Sequence, residues 1–565
     1  MAELHVSKKS ISKLLSEMQG KKFIIPDFQR PYKWNIEKCE TLWNDIVNFT
    51  ETEAKSGSDY FLGTIVSYTN DDKNQEIIDG QQRITSFFLL LRSFYKKLED
   101  MPQDDDQVIG LKTKVAPCLW DTDRFSGKVE DYTKIHIESL VATEEDNHTF
   151  HTILETGFAH NQATDNYSVN YRFFKKQCDE YATLNPMKWK ELCVTILTQC
   201  IILPIECDTP ETALTIFSTL NDRGLPLADS DIFKAQIYKN LDTEIKRKEF
   251  TTLWKELTQI CKQAKTTIDD NFRYYTHILR AKSGIKTKEI GLRSFYAEDK
   301  YSRLKDENLI ADIMALANFW RYANIGIEPE EDVNYFISDE ARKYLHCLDC
   351  YPNEFWKYPT SVFFLKNQNS DTFDSDFCIM LKELIAFLFA KFIDAPSVNA
   401  IKDDIYSSCI SMQDKNKLQY RINFNEELLE KQIESHASSR LSRALLLLDA
   451  YLNPNQINLI PETFDIEHIF PKKWQDNNYF GWDRENADLY LDRFGNKIVF
   501  EKKLNISAGN GYFGVKKQKY SISKIQSVID LSNYHKNDWS KEDIESREII
   551  FKNNLINFFK EQIAI

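Results

Sequence analysis

The run Phe464-Asp465-Ile466-Glu467-His468-Ile469-Phe470-Pro471 brings two carboxylates and a histidine into one short stretch. Polar and apolar side chains alternate up to a proline that ends a short strand, which sets Asp465 and Glu467 on one face and His468 at the strand's end. An imidazole titrating near neutrality is suited to take a proton from water. Hydrolysis of a phosphodiester needs such a base, a cation to neutralise charge developing at phosphorus, and groups that hold both in register. Two asparagines downstream complete a set: Asn496 in FGNKIVF and Asn505 in KKLN. A β-turn-helix returns both to the strand bearing His468. Carboxylate and amide oxygens are the hard ligands that Mg²⁺ or Mn²⁺ prefers, so Asp465, Glu467 and Asn505 are candidate metal ligands. Asn496 is a candidate for orienting the loop or the base, and Lys516 for contacting the scissile phosphate or a flanking one. A lone histidine after a strand is more often a satisfied structural residue; the spacing around His468 argues the other way.

A second constellation lies near the N-terminus. Glu76-Ile77-Ile78-Asp79-Gly80-Gln81-Gln82-Arg83 reads as a strand, a glycine turn and the first turn of a helix through SFFLLLRSFYKKL. Free N–H groups and the dipole at a helix N-terminus favour phosphate, and Arg83 adds a bidentate donor, with Asp79 to hold a cation, orient Arg83 or position water. Upstream, Gln29, Arg30, Tyr32, Lys33 and Trp34 put cations and aromatics within a few residues, as phosphate and base-stacking candidates. Further on, the turn Leu220-Asn221-Asp222-Arg223-Gly224 offers polar groups and one more arginine. Each of these alone is explained as well by ordinary loop packing, since D-G-x-x-R is common and the chain has no Walker A sequence.

The elements that must position these groups follow from the hydrophobic pattern. FIIP, YFLGTIVSYT and QEIID read as strands of a small α/β unit. From about Tyr171, apolar residues recur at three- and four-residue spacing through ELCVTILTQCIILPI, AQIYKNL, DIMALANFWRYA and CIMLKELIAFLFAKFI, which predicts a helical middle. SSRLSRALLLLDAYL predicts a strong helix leading into a β-prone, basic C-terminal part. The expected division is 1–235, 236–437 and 438–565.

Bulk composition sets limits on function. A chain of 565 residues, 42% hydrophobic and 13% aromatic, folds as two or three domains rather than one and needs no disulfide staples. No stretch is apolar enough for a membrane span and MAELHVSKKSISKLL lacks the core of a secretion signal, so the expected location is the cytoplasm. The eleven cysteines read as buried thiols; Cys347 and Cys350 have half the spacing of a zinc knuckle, without a second pair. A net charge of −14 argues against nonspecific coating of nucleic acid, leaving a local basic patch of Lys497, Lys502, Lys503, Lys516, Lys517 and Lys519.

The C-terminal pattern, E-H-I-x-P from Glu467 to Pro471, then Trp474, Gly495-Asn496, Asn505 and Phe513 to Lys516, resembles the DUF1524 branch of the HNH (ββα-metal) nucleases, with asparagine where the older HNH pattern ends in histidine. The Q-R-x-Y-x-W and D-G-Q-Q-R motifs, with L-N-D-R-G-x-x-L, Asp231 and Lys234, resemble the DUF262 family, whose fold is similar to ParB and sulfiredoxin. Joined in one chain, they resemble the GmrSD-like type IV restriction endonucleases. That resemblance implies an α+β multidomain protein with an N-terminal ParB/sulfiredoxin-like domain, a helical middle and a C-terminal HNH domain. It implies a Mg²⁺- or Mn²⁺-dependent DNA endonuclease in antiviral defence, governed by an NTP (GTP or ATP) that the chain binds and hydrolyses. Implied partners are double-stranded DNA, in particular modified phage DNA, a nucleoside triphosphate and further copies of the chain, with no membrane. The rival readings are a nucleotide-sensing scaffold that does not cut, and a nuclease attacking RNA or host DNA in abortive infection.

Overall fold

A computed structural model describes the chain except residues 1–3, 55–56, 124, 210–211, 214–215, 217–227, 288, 290, 329–332, 423–424, 477–478, 480–481 and 564–565. Two compact units divide it, 1–252 and 253–565.

The first unit is built on a mixed seven-stranded sheet: β1 (Leu4–Val6), β2 (Lys9–Ser10), β3 (Phe23–Ile25), β4 (Tyr60–Thr69), β5 (Gln75–Asp79), β6 (Ile137–Ser139) and β7 (Cys200–Cys207), in the order β1-β7-β4-β5-β3-β6 with β2 also on β7. The long β4 pairs antiparallel with β5 and parallel with β7. Three of these strands are the alternating segments expected from the sequence. β7 corrects the expectation of continuous helix through ELCVTILTQCIILPI: the helix stops at Thr198 and a strand begins at Cys200. The reason lies in the run Ile201-Ile202-Leu203-Pro204-Ile205, whose β-branched side chains suit a pleated surface and whose proline lacks the N–H a helix interior needs. After β5 the chain turns at Gly80 and enters the helix Gln81–Glu99. Gly80 sits at φ 91°, and a Cβ there would stand 2.7 Å from Ile65 Cγ1, so only glycine lets the helix start this close to the sheet. Phe87 to Leu91 are all fully buried, as expected of a helix that is apolar on every side.

The second unit is mainly helical. The segment expected as a separate middle region packs with the C-terminal part: the helix Asp339–Asp349 lies on Ser442–Leu452, and the core helix Phe373–Asp394 on Lys541–Gln562. Against these helices sits a two-stranded antiparallel sheet, β8 (Phe464–His468) and β9 (Lys497–Glu501), with Glu467 opposite Ile498 and His468 opposite Lys497. The helix Lys502–Ala508 follows β9 without a break and packs on both strands. All eleven cysteines are free thiols; Cys347 is buried, and among the described residues no three His, Cys, Asp or Glu side chains converge to hold a metal. No described helix is long and apolar enough to cross a membrane.

Candidate functional site

His468 ends β8 with its side chain largely shielded, and its Nε2 lies 3.3 Å from Asp492 Oδ1. A carboxylate only accepts, so this contact assigns the ring hydrogen to Nε2 and leaves Nδ1 with its lone pair. Burial pushes the imidazole down to about 4; Lys472 and Lys497 act the same way and Asp492 opposes them. At neutral pH the ring is therefore an uncharged base. Asp492 also pairs with Lys497 Nζ at 2.8 Å, and that ammonium is held from behind by the Ala437 carbonyl at 3.0 Å. The sequence reading passed over Asp492; the signal available was a carboxylate four residues before Asn496, in D-R-F-G-N.

Asn496, expected near the chemistry, is fully buried and touches only main chain. Its Oδ1 accepts from Phe470 N at 2.7 Å, and its Nδ2 donates to Phe470 O at 3.0 Å and Leu491 O at 2.9 Å. Its backbone carbonyl accepts from Ile469 N at 2.9 Å. It is thus a positioning residue that clamps the chain just past His468. The turn carrying it is gripped by the C-terminal helix Lys541–Gln562. Arg547 Nη1 donates to Phe494 O at 3.2 Å, Gly495 O at 3.1 Å and Lys497 O at 2.6 Å, while Glu548 accepts from Phe494 N at 3.1 Å. Gly495 allows this approach, since a Cβ there would fall 1.9 Å from Ile544 O.

Two expectations are corrected here, the role of Lys516 and the extent of the basic patch. Lys516, expected on a phosphate, is 1% exposed: its Nζ meets Glu467 Oε1 at 2.7 Å and donates to His468 O at 2.7 Å and Ile469 O at 3.4 Å. A six-residue basic patch shrinks accordingly, because Lys497 and Lys516 are both internal. Glu467, expected as a metal ligand, is itself buried, and Tyr520 Oη adds a second donor to Oε1 at 2.8 Å. Burial raises the Glu467 carboxyl and lowers the Lys516 ammonium, each toward its neutral form, and their contact opposes both. Neither donor uses Oε2. Asp465 and Asn505 are half-buried, with no side-chain hydrogen bond among the described residues, and the helix bearing Asn505 packs on β8. Two carboxylates and an amide fit a hard cation in donor chemistry.

In the N-terminal unit, most of the expected nucleotide contacts prove to be scaffolding. Tyr32 is buried, its hydroxyl bonded to Ser86 Oγ at 2.7 Å and to Asn170 Nδ2 at 3.0 Å, so it is no stacking platform. Trp34 packs against the core. Gln82 accepts from Lys33 N at 2.7 Å and Trp34 N at 3.2 Å and donates to Pro31 O, which pins that loop. Gln29 bridges Ile78 O and Gln81 Nε2. What stays available surrounds the helix start: Gly80 caps it without a side chain, Gln81 Oε1 is buried with no partner, and Arg83 donates to Thr64 O at 3.1 Å beside Gly63. Burial raises the Asp79 carboxyl, with Arg83 and Arg30 pulling against it. Arg30 stands 3.8 Å from Asp231 and is 38% exposed. Asn221 and Arg223 lie outside the described residues.

Comparison with known families agrees with this two-part geometry. Residues 11–238 match the model described as GmrSD restriction endonuclease, N-terminal domain, and residues 419–552 match that of GmrSD restriction endonucleases, C-terminal domain. No curated protein matches the chain. Both matches fall in family order and together span more than half of the sequence: the chain belongs to the GmrSD family of type IV restriction endonucleases and carries its N-terminal and C-terminal domains in one polypeptide.

Proposed function

We propose that this restriction nuclease cuts modified phage DNA with a ββα-metal (HNH) site in its C-terminal unit, under control of an NTP bound in its N-terminal unit. The observation that carries the cutting site is His468: a neutral imidazole at the end of β8, with Nε2 tethered to Asp492 and Nδ1 without a hydrogen bond among the described residues, on a strand packed by the helix that bears Asn505. In this reading Nδ1 takes a proton from the water that attacks phosphorus, and Asp492 stabilises the imidazolium formed. Asn496, held by Arg547 and Glu548, keeps the strand end in place. Glu467, Asn505 and Asp465 would hold Mg²⁺ or Mn²⁺. When bound, such a cation neutralises charge at the scissile phosphate. Lys516 supports Glu467 rather than the phosphate.

The nucleotide reading is supported by the uncapped helix N-terminus at Gly80, the orphaned Gln81 Oε1, and Arg83 and Arg30 near Asp79. Cleavage of modified and unmodified phage DNA by the purified chain, with and without Mg²⁺ and each NTP, tests both halves. Cutting should vanish in His468→Ala and lose its NTP dependence in Arg83→Ala; metal-independent cutting would sink the C-terminal reading. One observation favours a nucleotide-sensing scaffold that does not cut: Lys516 already neutralises Glu467. Absence of turnover on any DNA, with NTP still bound, would select it.

A further inference from the structure

A cavity of about 510 Å³ opens in the second unit behind β8. One wall is a face of the helix Asp339–Asp349, where Arg342, Leu345, His346 and Asp349 recur at helical spacing. Opposite stand Ile460 and Phe464, the latter the first residue of β8. The volume lies within the range of small-ligand sites.

The two ends of the helix face carry opposite and uncommitted charges. Arg342 makes no side-chain hydrogen bond or ion pair among the described residues; its guanidinium is held by packing alone, over the Tyr322 ring at 5.1 Å and close beside Gly326. Its N–H fork is therefore set in place and unused, as a phosphate-binding arginine requires. Asp349 likewise has no hydrogen-bond partner, and desolvation pushes its carboxyl up to about 6. The other cations on the walls are engaged: Lys265 with Glu462 at 3.3 Å, Lys357 with Glu354 at 3.1 Å, and Arg443 with the Phe464 carbonyl at 2.8 Å. Seven residues of helical rise separate the free pair by about 10 Å, too far for the two ends of an amino acid and the reach of a nucleoside monophosphate from phosphate to base edge. Between them lie Leu345, the His346 ring, held by Tyr451 Oη at 2.8 Å, and Phe464, an apolar and aromatic stretch suited to a sugar and base.

We propose that this cavity binds a nucleotide, with its phosphate on Arg342 and the amino-bearing edge of its base on Asp349. The ligand is either a free mononucleotide or a nucleotide turned out of duplex DNA; the recognition chemistry is shared. Binding at this site is independent of the N-terminal NTP reading and of DNA cutting.

The test uses the full chain carrying His468→Ala, so that no outcome depends on cleavage, and is repeated with Arg83→Ala to silence the N-terminal segment. Calorimetry with cytidine monophosphate, uridine monophosphate and inorganic phosphate forms the first arm. Cytidine monophosphate should bind at least tenfold more tightly than uridine monophosphate, which lacks the amino group; Arg342→Gln should weaken it at least tenfold, and Asp349→Asn should abolish the preference. The second arm follows fluorescence of a duplex bearing 2-aminopurine opposite an abasic position. A response there that is lost in Arg342→Gln and Asp349→Asn, without binding of free cytidine monophosphate, assigns the site to DNA. Melting curves verify that each variant folds. If neither arm responds, or if the responses are unchanged in both variants, the proposal is wrong.

Discussion

Replacing Gly495 by alanine tests whether the C-terminal helix holds the Asn496 turn. The new Cβ would lie 1.9 Å from Ile544 O, 2.8 Å from Ile544 C and 3.1 Å from Glu548 Cβ, where ordinary contact begins at 3.4 Å. The obstacle is backbone, so it cannot swing aside, and the helix must withdraw by about 1.5 Å. Adding that to the Arg547 contacts at 3.2, 3.1 and 2.6 Å and the Glu548 contact at 3.1 Å takes all four beyond hydrogen-bonding range. Charge-assisted bonds contribute about 1.5–3 kcal/mol each, partly recovered through water, so the net loss is roughly 3–6 kcal/mol. At roughly 2 °C per kcal/mol for a unit of this size, scanning calorimetry should find the transition of the C-terminal unit lowered by about 6–12 °C. Hydrogen exchange at Phe470 N, the amide bonded to Asn496 Oδ1, should accelerate along with it. A transition within about 2 °C of the parent, with Phe470 N still protected, would refute the reasoning.

Other outcomes follow from the same geometry. Lys516→Met leaves Glu467 buried with Tyr520 alone and should cost about 3–5 kcal/mol, while adding Glu467→Leu recovers most of that; thermal melts of the two variants decide, and equal losses would contradict it. Asp492→Asn should lower kcat for DNA cleavage roughly tenfold, the worth of one charge-assisted hydrogen bond at about 1.4 kcal/mol; an unchanged kcat would remove Asp492 from the mechanism. Asp349 has a folded pKa raised to about 6, above its unfolded value of about 3.9. The folded state therefore binds the extra proton between those values, and this group lowers stability as pH rises from about 4 to about 6. Asp349→Asn should accordingly melt higher than the parent at pH 7.5 and like it near pH 4; a constant difference across that range speaks against the assignment. Gly63→Ala should weaken NTP binding, because its Cβ would meet Arg83 Nη1 at 3.0 Å from a backbone at φ 111°, and titration of the nucleotide measures it.

The parts of the fold that declared themselves in sequence are those whose determinants are local. The alternation in YFLGTIVSYT and QEIID gave β4 and β5, and the polar-apolar run ending at Pro471 gave β8. β7 escaped because its apolar run continues directly from a helix, and periodicity alone does not separate a short buried strand from the end of a buried helix. In the candidate site, His468 and Asn496 were legible through motif spacing, whereas Asp492 reaches His468 across 24 positions and Arg547 reaches the Asn496 turn across more than 50. Only the D-R-F-G-N stretch hints at Asp492, and nothing near Arg547 announces its contacts. Residue type also misled where burial decides the role: a lysine after a basic run suggests phosphate, yet Lys516 is closed in on Glu467, and Tyr32, aromatic beside an arginine, is spent on Ser86 and Asn170. The division into units was hidden for a related reason, since the middle helices find their apolar partners far along the chain, in Ser442–Leu452 and Lys541–Gln562.

The amide of Asn496 bonds both the N–H and the C=O of Phe470, as an opposing peptide would. The described part of the stretch 471–491 is thereby joined at Phe470 and, through Asn496 Nδ2 and Leu491 O at 2.9 Å, at its other end. It has its own nucleus as well: the Phe470 ring gathers Trp474, Tyr479 and Trp482 at 6.0, 4.9 and 4.0 Å. A single amide therefore governs two stretches at once: loosening Asn496 would free Phe470 and Leu491 together, and with them the strand end carrying His468.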